Sequence, residues 1–121
     1  MLHLPEEELL QTIHDAKIPF VDFTARREID GSREYMGLYI ELSGDMTEEE
    51  VARRVNERLL EVDKDWRDLT DFMEYNPLRV IILPKGAVKR FLQDKEGVPR
   101  MARIGMRDSQ FREFMGSATR G

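Results

Sequence analysis

The sequence predicts an α+β domain, in which helices pack on a small mixed sheet of about three strands, formed by a hairpin and a crossover strand. Three patterns favour this fold class. Apolar and polar positions alternate over residues 35–42, as is typical of a strand. Apolar residues recur at helical spacing over residues 51–62. An almost continuous apolar run then covers residues 78–83, which indicates a further strand.

The first predicted element is a short helix that begins after Pro5 and ends near Lys17. Proline is tolerated in the first turn of a helix, and the acidic residues 6–8 suit the positive end of the helix dipole. The apolar residues at helical spacing are Leu9, Leu10 and Ile13.

A β-hairpin is predicted next. Residues 20–29 are rich in β-forming side chains, and Asp30-Gly31-Ser32 is a turn signal for a loop of two residues or more. The second strand is predicted to be half-buried, because its side chains alternate in polarity. The apolar set is Met36, Leu38, Ile40 and Leu42, and the alternate set is Tyr35, Gly37, Tyr39 and Glu41.

Two helical segments are expected between the hairpin and the third strand. Thr47 and Glu50 have the spacing of a capping box. The apolar face that follows contains Val51, Val55, Leu59 and Val62. Asp63 or Asp65 is predicted to cap the second segment, which Asn76-Pro77 ends because the residue before proline avoids the α region. The apolar residues of that segment are Trp66, Leu69, Phe72 and Met73.

The third strand, residues 78–83, is predicted to be central, since a continuous apolar run suits a strand covered on both faces. Pro84-Lys85-Gly86 then turns the chain into a short helix over residues 87–94. Asp108 or Ser109 is predicted to start a last short helix. Residues 116–121 are expected to form a disordered tail.

Length and composition bound the class of protein. The chain has 121 residues, which fits a single domain over residues 1–121. It has no cysteine and two histidines, which argues against disulfides, thiolate nucleophiles and the common zinc sites, and no metal site is predicted. Residues 6–8 are acidic where a secretory signal would be apolar, and no apolar run could span a bilayer. A cytoplasmic protein without membrane contact is therefore expected.

The charge is unevenly distributed along the chain. Residues 1–83 carry 10 basic and 20 acidic side chains, whereas residues 84–121 carry 9 basic and 4 acidic ones. A basic end can mark a contact with phosphate or an acidic partner, and it can equally be an ordinary solvated surface. The acidic body opposes nucleic-acid binding, so no nucleic acid is expected as a partner. The basic group consists of Lys85, Lys89, Arg90, Lys95, Arg100, Arg103 and Arg107.

Catalytic motifs are not apparent in the sequence, and no catalytic residue is predicted. The serines do not lie in a nucleophile-elbow pattern, and His14 is a lone titratable group beside Ile13. The Pro84–Ala87 turn places a lysine and a glycine between a strand and a helix. Backbone amides there could bind an anion, or the segment is an ordinary turn.

Several segments, in order over residues 20–115, resemble the C-terminal domain of the auxin-responsive acyl-acid amido synthetases, in the luciferase-like adenylate-forming superfamily. The C-terminal module of phenylacetate–coenzyme A ligases is a rival assignment. The segments are Val21-Asp22-Phe23-Thr24, Gly37-Leu38-Tyr39-Ile40-Glu41-Leu42, Val62-Asp63-Lys64-Asp65-Trp66, Asn76-Pro77-Leu78-Arg79-Val80, Leu83-Pro84-Lys85-Gly86-Ala87 and Pro99-Arg100-Met101.

The resemblance implies a lid. In complete members, a large N-terminal domain binds ATP and the acyl acid, and the small C-terminal domain closes over it. This chain would then bind no cofactor alone, with ATP and Mg²⁺ held by a large adenylating partner domain or chain. It would be inactive by itself, as a lid-like module or as a subunit of an ATP-dependent ligase. A stand-alone small-ligand or regulatory binding domain that reuses the fold is the alternative. Monomer and homodimer both remain open.

The family often carries a Gln-x-Lys-x-Pro-Arg motif in the lid, whose lysine faces the nucleotide. Aligning Pro99-Arg100 with this motif puts Lys95 at the glutamine position and Gly97 at the lysine position. Glycine cannot supply the charge of that lysine. The candidate nucleotide- or anion-binding residues are Lys85, Lys95, Arg100 and Arg103.

Overall fold

The structure is a computed structural model that describes residues 6–93, 104 and 106–119. It confirms the predicted α+β class, with helices on a three-stranded mixed sheet. The elements are α1 (Glu6–Asp15), β1 (Phe20–Asp30), β2 (Arg33–Leu42), α2 (Glu48–Val62), α3 (Lys64–Met73), β3 (Leu78–Leu83), α4 (Ala87–Gln93) and α5 (Asp108–Thr119).

The described sheet has the strand order β1-β2-β3. Strands β1 and β2 form the predicted antiparallel hairpin, and β3 pairs parallel to β2 after the crossover through α2 and α3. The hairpin loop has two residues, because Asp30 pairs with Arg33. Gly31, the first of them, has a φ of 63°, and a glycine there is typical of type II′ hairpins. On the other side of β1, Ala25 forms a bridge with Ile104.

The predicted positions of the second and third strands are wrong. β2 is the central strand and residues 35–42 are buried throughout, whereas β3 lies at the edge of the described sheet and residues 79–82 are only half-buried. The alternation in β2 reflects two different cores rather than one core and solvent. The apolar set, Leu38 among it, packs under α1, α2 and α3, and Tyr39 on the opposite face packs under α4 and α5.

The capping of α2 follows the sequence in part. The Thr47 hydroxyl accepts a hydrogen bond from the Glu50 amide at 3.1 Å. The Glu50 carboxylate pairs with Arg53 at 2.5 Å. The predicted core residues Val51, Val55 and Leu59 are fully buried. Val62 is 43% exposed, because α2 ends there and the chain turns into α3.

Helix α3 begins at the predicted cap and ends before the predicted break. The Asp63 carboxylate accepts from the Trp66 amide at 2.8 Å, and the buried Trp66 indole donates to Asn56 at 3.0 Å. Glu74 then adopts a left-handed conformation that ends the helix. Phe72 is 85% exposed, although its helical spacing suggests a packed residue.

Strand β3 is joined to its surroundings by side chains as well as by β2. The Glu48 carboxylate, in the first turn of α2, accepts a hydrogen bond from the Ile82 amide at 2.9 Å. The Asn76 side chain accepts from the Leu78 amide at 3.0 Å. The first bond fixes the parallel strand against the start of α2, and the second fixes its first residue to the loop that precedes it.

Helices α4 and α5 build a second, smaller core on the opposite face of the sheet. Phe91 of α4 meets Phe114 of α5 edge to face at 5.2 Å, and Phe111 meets Tyr39 at 4.8 Å between ring centres. Arg26 of β1 anchors the start of α5 through an ion pair with Asp108 at 2.8 Å. The helix continues to Thr119, so it runs through part of the segment that the sequence predicts as a tail.

Within the described ranges, no helix is both long and apolar enough to cross a membrane. The same residues contain no group of three or more carboxylate or histidine side chains that could hold a metal ion.

Candidate functional site

The candidate site is the loop between β3 and α4, Pro84–Gly86, where the sequence places Lys85. β3 ends at Leu83, and Gly86 has a φ of 87°, a conformation that favours glycine. A side-chain carbon at Gly86 would also lie 2.9 Å from a guanidinium nitrogen of Arg90. The glycine therefore permits both the turn and the passage of Arg90, which donates to the Lys85 carbonyl at 3.2 Å.

Glu41 holds this loop from β2. Its two carboxylate oxygens accept hydrogen bonds from the amides of Gly86 and Val88, each at 2.8 Å. The side chain is 5% exposed, and Glu41 pairs with Leu83 in the sheet. The backbone amides that the sequence offers as a possible anion site are thus occupied by a carboxylate of the chain itself.

The Lys85 ammonium closes the loop from its other side. It donates to the carbonyl oxygens of Leu42 at 3.1 Å and Gly44 at 2.9 Å, just where β2 ends. An ammonium group has three N–H donors, and these two carbonyl oxygens use two of them. Lys85 itself is exposed. Its proposed role in binding a nucleotide or anion stays a prediction.

The other predicted binding residues, Lys95, Arg100 and Arg103, lie outside the described residues, as does Gly97. Of the described basic group, Lys89 and Arg107 are exposed. The structure brings Arg90 of the basic group to Lys85, where the guanidinium contacts the Lys85 carbonyl. The binding role of Lys95, Arg100 and Arg103 stays a prediction.

Comparisons with known proteins bear on this arrangement. No protein-family model and no curated protein matches the sequence. Solved structures do match. "AtGH3.15 acyl acid amido synthetase in complex with 2,4-DB" superposes with a TM-score of 0.67 at 15% identity, over 99% of this chain and 25% of that one. "GH3.15 acyl acid amido synthetase" does so with a TM-score of 0.67 at 17% identity, over 98% and 26%.

The fold is that of a domain of acyl acid amido synthetases. The chain spans about a quarter of the length of the synthetases that it matches. The resemblance to the C-terminal domain of this family, which the sequence segments indicate, is confirmed as a likeness of fold.

In this synthetase-like fold, Glu41 is the residue that the sequence reasoning missed. Alternation assigns it to the more polar side of β2, and a glutamate near the end of a strand is usually solvated. The available signal is its position beside two buried apolar residues, Ile40 and Leu42, with a glycine-containing turn later in the chain. That signal does not identify the hydrogen-bond partners of Glu41, because the Gly86 and Val88 amides lie more than 40 positions away.

Proposed function

We propose that this chain is a lid-like module that acts with, or derives from, a large adenylating domain of the acyl acid amido synthetase type. The observation that carries the proposal is the coverage of the structural match. Nearly the whole chain superposes, and it accounts for only a quarter of the synthetase. The ATP and acyl-acid sites of such an enzyme belong, by the resemblance, to the part of the synthetase that this chain does not match.

The loop after β3 supports the proposed role. Glu41 and the Lys85 ammonium hold the loop from two sides, so its exposed surface is pre-organised. A lid works by closing over the bound nucleotide and excluding water. In the proposal, Lys85 faces the nucleotide together with Lys95, Arg100 and Arg103, while ATP and Mg²⁺ are bound by the partner. Gly97 aligns with the lysine that usually faces the nucleotide in the family. In the proposal, the lid therefore acts on the bound nucleotide through its closure and through Arg100.

ATP–pyrophosphate exchange tests the proposal. The chain alone should show no exchange. An adenylating domain encoded in the same gene or in a neighbouring gene should exchange at a rate that changes when the chain is added. Arg100→Ala should reduce that effect, and Arg112→Ala, at an exposed position of α5, is the matched control. Exchange by the isolated chain would contradict the lid role. An exchange rate of the adenylating domain that is the same with and without the chain would also contradict it.

A stand-alone small-ligand or regulatory binding domain is the second candidate. It is favoured by a cleft on the sheet, lined by Tyr39 and Arg79 among others, that lies apart from the Lys85 loop. Small-molecule binding by the isolated chain, without effect on any adenylating partner, would favour this candidate.

A further inference from the structure

We draw no further inference here: the strongest candidate, the surface patch at the hairpin tip where the guanidinium groups of Arg33 and Arg79 lie over the rings of Tyr75 and Tyr35, carries nothing, because Arg79 is already paired with Asp30 and nothing in the structure shows what covers the patch.

Discussion

Replacing Glu41 tests the strongest contact of the candidate site. Its buried carboxylate accepts two backbone hydrogen bonds at 2.8 Å, from Gly86 and Val88. A hydrogen bond to a charged group contributes about 1.5–3 kcal/mol, and an amide left unsatisfied in the interior costs a similar amount. Glu41→Gln keeps one acceptor oxygen and turns the other into an NH₂ donor that faces an amide N–H. The expected loss is therefore about 2–3 kcal/mol in the free energy of unfolding.

Urea denaturation followed by circular dichroism at pH 7 measures this loss. For a chain of this length, it corresponds to a fall of roughly 10 °C in melting temperature. The matched control is Glu57→Gln, which removes an exposed ion pair with Arg53 at 3.2 Å and should change the free energy of unfolding by less than about 0.5 kcal/mol. If Glu41→Gln is no more destabilising than Glu57→Gln, the two bonds do not hold the loop and the reasoning fails.

Three further predictions concern caps, turns and pH. Thr47→Ala removes the acceptor of the Glu50 amide and should cost about 1 kcal/mol in urea denaturation, whereas unchanged stability would show that water replaces the cap. Gly31→Ala places a side chain at a φ of 63° and should cost about 1 kcal/mol; a more stable variant would refute the turn geometry. Burial and the neighbouring Asp63 raise the pKa of Glu8 from 4.5 to about 7. The folded chain then binds this proton more tightly than the unfolded chain, so the stability that Glu8 contributes is present below pH 4.5 and is lost as the pH rises through 7. The difference in unfolding free energy between the wild type and Glu8→Gln should fall over that range, and a flat difference would exclude the coupling.

Local signals in the sequence predict the helices and the hairpin well. Thr47 and Asp63 cap the helices that follow them, because a side-chain oxygen of the right length is all that a cap requires. The helical spacing of Val51, Val55 and Leu59 identifies a buried face. These features depend on residues within one or two turns of each other.

The places of β2 and β3 in the sheet could not be predicted in the same way. Alternation records the polarity of side chains and contains no information on which elements cover them. The Tyr39 hydroxyl donates to Glu28 of the neighbouring hairpin strand, but its ring packs against Phe111, which is more than 70 positions further along the chain. The candidate site shows the same limit, since the partners of Lys85 and Glu41 are backbone atoms of distant turns.

The bonds from Glu48 to the Ile82 amide and from Asn76 to the Leu78 amide also affect how copies of the chain meet. An open strand edge invites a strand from another molecule, which is a common start of aggregation. On β3, two of the amides that such a strand would need are already bonded to side chains, one of them a carboxylate. An incoming strand must break both bonds and separate the Glu48 charge from its donor before it gains a ladder of its own. The side chains of a helix start and a loop thus protect this edge against uncontrolled growth of the sheet.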